Sequence, residues 1–163
     1  MGSSGPGVAE LRAGLGFDVH ARDDSRELWL GGVRFEGEAG LVGHSDGDAV
    51  CHAIADALLG AAALGDVGEH FPDGDPAVEG IGGLELLAGT VTLLVDAGLA
   101  PGSCDVTVLC ERPAIAPRRD EMRVALAAVL DLPLERVSVK ATRPEGLGLS
   151  GDGVGCLALA TLR

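Results

Sequence analysis

From Asp46 to Leu64 apolar side chains recur at i, i+3 and i+4: Val50, Ala53, Ile54, Ala57, Leu58 and Ala61. That spacing puts them in one stripe of an α-helix, which has to be buried against another layer. The stripe is built largely of small residues. Aromatics are only 2% of the chain and tyrosine is absent, so the core must be aliphatic. Small side chains also allow close packing of helix on sheet and of subunit on subunit. Asp48, His52 and Asp56 lie four residues apart on the other face of the helix. They read either as a solvated face, with Asp46 and Asp48 favoured near the helix start by its dipole, or as a histidine turned towards a site and supported by carboxylates.

Strands are expected at Leu11–His20 and Glu27–Phe35, joined by a polar turn at Arg22-Asp23-Asp24-Ser25. Gly65 ends the first helix, and Asp66 to Asp75 is a loop rich in Gly, Pro and Asp. Helices follow at Leu84–Val95, capped by Gly98, and at Pro117–Leu132, with proline in its first turn. Further strands are expected at Asp105–Cys110, Val137–Ala141 and Gly155–Leu162. The order β-β-α-α-β-α-β-β predicts an α/β (α+β) fold, a ferredoxin-like β/α sandwich with helices on one side of the sheet. The opposite sheet face then needs cover, and other subunits are the expected source. With 163 residues the chain makes one domain, 8–163, behind a leader or tag remnant at 1–7.

Chemistry first shows at Asp18-Val19-His20. Alternation along a strand sends Asp18 and His20 to one face. With His52 they offer two imidazoles and a carboxylate, a set that would hold a zinc-like ion and leave its fourth position open. Paired or capping histidines give the same pattern, so the trio alone leaves both readings standing. The net charge, 12 − 25 = −13, argues against nucleic acid and anionic membranes as partners. It would also repel phosphates unless cations were bound, which points towards metals. Cys51, Cys104, Cys110 and Cys156 have no C-x-x-C spacing and are expected as reduced core residues in a bacterial cytoplasm.

Three segments carry a resemblance. Gly16-Phe17-Asp18-Val19-His20, then Gly43-His44-Ser45-Asp46-Gly47-Asp48 through His52, then Gly65-Asp66-Val67-Gly68 with Phe71-Pro72-Asp73-Gly74-Asp75 stand in this order. Together they resemble the 2-C-methyl-D-erythritol 2,4-cyclodiphosphate synthase family of the non-mevalonate isoprenoid pathway, from about Leu15 to the C-terminus. The resemblance implies a metal-dependent phosphorus–oxygen lyase. It would close a CDP-linked methylerythritol 2-phosphate into a cyclic diphosphate and release CMP. It implies Zn2+ on Asp18, His20 and His52, and Mg2+ or Mn2+ on Glu145 and the substrate phosphates. It assigns His44, Thr142 and Arg143 to catalysis. Substrate contacts fall to Ser45, Asp66, Gly68, Phe71, Pro72, Asp73, Asp75, Cys110, Ala114, Ile115, Thr142 and Leu149. A homotrimer with sites between subunits also follows from it; association with a cytidylyltransferase is compatible with the sequence and not decided by it.

The last motif departs from the family pattern. It reads Thr142-Arg143-Pro144-Glu145-Gly146-Leu147-Gly148-Leu149-Ser150-Gly151-Asp152-Gly153-Val154. Arg143 stands where the family usually has threonine. A guanidinium can clamp phosphate, but it is longer and charged, so the geometry must differ. Asp152 and Val154 replace an Arg and Glu that line a cavity on the family's three-fold axis, and loss of axial diphosphate binding is expected. Two rivals remain: a diverged paralogue acting on another CDP-linked substrate, and a catalytically silent metal- or nucleotide-binding trimer.

Overall fold

A computed structural model describes residues 11–148 and 151–163, so the expected leader and Leu149 lie outside the described residues. Strand β1, Arg12–His20, pairs antiparallel with β6, Val154–Leu162, and β6 pairs antiparallel with β4, Pro101–Leu109. β4 runs parallel to β5, Val137–Thr142, giving the sheet order β1-β6-β4-β5. Helix α1, Ala49–Ala62, lies across β1 and β6, while α3, Gly83–Asp96, packs on α1 and α4, Arg119–Leu130, packs on β5. A short helix, α2, spans Val67–His70. The expected mixed α/β class is observed.

A second sheet corrects the expected strand Glu27–Phe35. That segment covers both arms of a hairpin, β2 at Arg22–Leu30 and β3 at Val33–Leu41. Gly31 and Gly32 turn the chain with φ of +60° and +75°, the positive values a two-residue primed turn requires. Leu28, Leu30, Val33 and Phe35 are all buried, so the alternation slips by one residue and the turn absorbs the slip. The Arg22–Ser25 segment is not a turn either. It lies inside β2, where Asp23 Oδ1 accepts from Ser25 N at 2.9 Å and the register shifts between Asp23 and Glu27. That shift is a β-bulge.

Helix α1 begins at Ala49 rather than Asp46 because Asp48 caps it. The Asp48 carboxylate accepts from the amides of Val50 and Cys51 at 3.1 Å each, from Gly31 at 2.8 Å and from Gly32 at 2.7 Å. Fully buried, Asp48 belongs to no solvated face, and it meets His52 only through the backbone, where His52 N donates to the Asp48 carbonyl at 3.0 Å. Residues 116–118 form a 3-10 turn, so Pro117 precedes α4 instead of opening it.

The core is aliphatic, with Ile54, Leu58, Leu87, Leu94, Met122, Leu126 and Leu130 fully buried. All four cysteines are buried free thiols, and burial pushes Cys104 up to about 12 and raises the other three. No helix among the described residues is long and apolar enough to cross a membrane.

β1 and α1 meet backbone to backbone. A Cβ on Gly14 would stand 2.0 Å from the Ala57 carbonyl oxygen, and one on Gly16 would stand 1.9 Å from that of Ala53. Neither oxygen can move without unwinding the helix. Gly16→Val should therefore cost about 3 kcal/mol or more, since overpacking against rigid atoms exceeds the usual range. In contrast, a Cβ at Gly60, also in α1, meets nothing within 4 Å, so Gly60→Ala should stabilise by about 0.5–1 kcal/mol. Urea unfolding of both variants checks the pair, which should move in opposite directions.

Candidate metal centre

The parity that turns Gly14 and Gly16 towards α1 sends Asp18 and His20 to the same face at the end of β1. There the strand passes the first turn of α1, where His52 projects. Most of α1 is buried, and His52, Asp56 and Gly60 mark its less covered edge. Asp18 Oδ2 lies 2.7 Å from His20 Nε2 and 3.5 Å from His52 Nδ1. The two rings meet edge to face, with centroids 5.4 Å apart. One ligand atom from each of the three residues lies within 4.8 Å of the others.

The structure supplies its own test of whether a cation fits. Asp18 Oδ2 and His20 Nε2 are buried and have no hydrogen-bond partner among the described residues, although they are close. Their contact has the distance of an ion pair without the angle of a hydrogen bond. Buried polar atoms left without partners are rare and call for an explanation. A divalent ion between them satisfies both. The far side of each ring is already held. His20 Nδ1 donates to the Val42 carbonyl at 2.5 Å, which leaves Nε2 with its lone pair free. His52 Nε2 meets Ser45 Oγ at 3.1 Å. The trio can therefore hold a metal ion.

Electrostatics favour the charged pair when no metal is bound. Burial alone would raise the Asp18 carboxyl, but the close His20 and His52 imidazoles outweigh it and bring the group to about 2. The adjacent Asp18 carboxylate raises His20 above its ordinary 6.5, against the opposing effect of burial.

A cavity of about 310 Å³ opens over the trio, and His44, Ser45, Gly68, Phe71 and Asp73 also line it. His44 Nδ1 lies 3.3 Å from Asp73 Oδ2, both well exposed. Asp66 does not line the cavity but caps α2, accepting from Glu69 N at 3.0 Å. Pro72 and Asp75 are exposed in the following turn. The sequence reading missed the Val42 carbonyl, which no side-chain pattern could reveal. It also missed the lining role of Asp56, although Asp56 follows His52 by one helical turn. The Asp56 carboxyl, raised by burial, accepts from Val67 N at 2.8 Å and ties α1 to α2.

A second cavity, about 180 Å³, is lined by Cys110, Pro113, Ala114, Ile115, Thr142 and Arg143, with Arg119 beside them. The Cys110 thiol donates to the Pro113 carbonyl at 3.5 Å. The expected site residues thus fall into two groups on one chain. Glu145 lines neither cavity; it sits exposed at φ +53°, and Glu111 accepts from the next amide, Gly146 N, at 2.9 Å. Asp152 is exposed, whereas Val154 is fully buried opposite His20.

A carboxylate and two imidazoles lining one cavity of a mixed α/β fold are a donor set able to hold a catalytic metal ion. The YgbB family matches residues 11–163, and the chain belongs to it. A 2-C-methyl-D-erythritol 2,4-cyclodiphosphate synthase from Trichlorobacter lovleyi is 47% identical over 93% of this chain and 97% of its own length. A bifunctional enzyme IspD/IspF from an Anaeromyxobacter species is 49% identical over 93% of the chain, which spans only 39% of that relative. Among solved structures, a CDP-bound 2C-methyl-D-erythritol-2,4-cyclodiphosphate synthase superposes with a TM-score of 0.86 at 34% identity, covering 93% of this chain and all of that one.

The pKa shifts fix the sign of two pH effects. Without metal, the raised His20 stabilises the fold below pH 6.5, and this contribution is lost as pH rises through its folded value. The lowered Asp18 stabilises the fold above 3.8, and this is lost as pH falls towards about 2. Metal competes with the His20 proton. Affinity should hold above the raised His20 value and then fall by about tenfold per pH unit below it. Zinc titration by calorimetry from pH 8 to pH 5 checks this, with the break expected above 6.5.

Proposed function

We propose that this chain converts 4-diphosphocytidyl-2-C-methyl-D-erythritol 2-phosphate into 2-C-methyl-D-erythritol 2,4-cyclodiphosphate and releases CMP. The observation that carries the reading is the convergence of Asp18, His20 and His52, with two of their atoms orphaned, at the mouth of a cavity. The 2-phosphate of the substrate attacks its own β-phosphorus, so the protein supplies no nucleophile. Its work is positioning and charge neutralisation. Zn2+ is the ion that suits two imidazoles and one carboxylate; when bound it supplies a Lewis acid for a phosphate oxygen. Ser45 and the Val42 carbonyl fix the two rings. His44 contacts phosphate, and Gly68 with the 71–75 segment covers the polyol. Glu145 would be the protein ligand for a second, harder ion, Mg2+ or Mn2+, which would supply charge neutralisation to the phosphates.

Cys110 to Ile115 hold the cytosine, with Thr142 and Arg143 at the phosphates. Because these residues lie in a cavity apart from the trio, we read each site as completed by a neighbouring subunit. The outer face of the sheet supports a homotrimer. Leu15, Phe17 and Val19 of β1 alternate outwards and stay exposed, Phe17 at 58%, with Leu11 just before the strand and Leu157 and Leu159 of β6 beside them. A contiguous apolar face of this kind marks an interface. The layered arrangement is then a ferredoxin-like sandwich with its open sheet turned inward. Arg143 favours one variant reading, a shifted preference among CDP-linked alcohols, and a substrate panel assayed for CMP would expose it.

Phosphorus NMR of the protein with the methylerythritol CDP-2-phosphate and Mg2+ should show the cyclic diphosphate and CMP. His52→Ala should reduce CMP release on the order of 100-fold or more, and normal turnover in that variant would remove the metal assignment. For the assembly, Phe17→Lys places three ammonium groups in an apolar interface. Light scattering should then report one-third of the wild-type mass, with the helical circular dichroism retained.

A further inference from the structure

We infer that Arg26, which no motif singles out, is a positioning residue for the metal centre. Its guanidinium, on β2, donates through Nη1 to the Gly43 carbonyl and through Nη2 to the Ser45 carbonyl. These two oxygens bracket His44. The same four-residue segment touches both histidine ligands, because the Val42 carbonyl accepts from His20 Nδ1 and Ser45 Oγ meets His52 Nε2. Ser45 Oγ also accepts from Gly47 N at 3.1 Å. Arg26 therefore fastens, from the outside, the strap that orients both rings from the inside.

A second feature of the fold points to the same role. The β-bulge between Asp23 and Glu27 takes Arg26 out of the regular ladder. Bulges beside functional sites commonly re-aim one side chain. Opposite it stands Gly40, where a Cβ would lie 2.4 Å from the Glu27 carbonyl oxygen and 2.7 Å from the Arg26 carbonyl carbon. The bulge is thus accommodated only because residue 40 lacks a side chain. A planar guanidinium suits two carbonyls at once, whereas an ammonium is a point donor. Residues that orient a metal's ligands from behind typically change affinity or activity by about 10–100-fold when lost.

This inference rests on the metal reading above, and the test separates the two. Arg26→Met and Arg26→Lys would be compared with wild type by zinc chelator competition, alongside calorimetric melting of the metal-free proteins. The expected result is a zinc Kd weakened about 10–100-fold in Arg26→Met and partly rescued in Arg26→Lys. If Arg26→Met lowers only the melting temperature and leaves the zinc Kd within about twofold of wild type, Arg26 is merely structural and the inference falls. Should Arg26→Met fail to fold, the folded Arg26→Lys decides alone: unchanged zinc affinity overturns the inference, and weakened affinity with an unchanged melting temperature supports it. Absence of zinc uptake by the wild type would overturn the metal assignment itself.

Discussion

At Gly14 and Gly16 the backbone of β1 lies directly on the backbone of α1 at Ala53 and Ala57, closer than any side chain would allow. This contact sets both the depth and the rotation of the helix over the sheet. With the helix that close, His52 in its first turn comes within reach of the strand end. Side-chain alternation then does the rest. The even residues of β1 run Gly14, Gly16, Asp18, His20, so the face that admits the helix becomes, two residues further on, the face that could hold a metal ion. The odd residues, Leu15, Phe17 and Val19, are forced to the other side, where they make the open apolar surface. One strand thus supplies the helix bed, two of the three candidate ligands and an exposed apolar face.

Two carboxylates, Asp48 fully buried and Asp46 half-buried, secure the loop beside the site. Asp48 takes four amide donors and the Cys51 thiol, joining the Gly31-Gly32 turn to the N-terminus of α1. Asp46 does the same between the start of α1 and the start of α3, accepting from Asp48 N at 3.0 Å and Gly83 N at 2.8 Å. An unpaired charge at such depth would be costly, but these carboxylates are compensated by several N–H groups each. The hairpin, α1 and α3 are thereby locked around residues 42–48. That rigidity matters because the segment carries the groups that orient His20 and His52. Gly83 is itself crowded, since a Cβ there would meet Asp48 Cβ at 2.6 Å.

The protein is strongly acidic, yet its proposed ligand is a polyanion. The two cavities offset this in different ways. At the first, a carboxylate and two imidazoles are arranged to hold a cation, so negative protein charge recruits the positive charge that phosphate requires. At the second, Arg119 and Arg143 line a small pocket whose floor is apolar at Cys110 and Ile115. The first can take charge from solution, while the second supplies its own.

Much of this was legible along the chain. The apolar stripe of α1, the pairing of Asp18 with His20 and the presence of β4, β5 and β6 follow from periods of 3.6 and 2. Those periods are local properties, set by the backbone geometry of each element. The hairpin was missed because its alternation slips by one residue at Gly31-Gly32, although a Gly-Gly pair between apolar runs is itself a turn signal. Asp48 was misplaced for a related reason. Helical spacing puts it four residues before His52, but a capping residue stands outside the helix and its carboxylate turns back to the amides. Residue order and local periodicity specify which residue types could bind a cation and on which face of each element they sit. Packing of distant segments is what brings His52 to Asp18 and His20, sets the Val42 carbonyl and Ser45 against the rings, and lays Arg26 across their strap. Those contacts join residues 7 to 34 positions apart, and their distances depend on how closely a helix can approach a strand that lacks side chains.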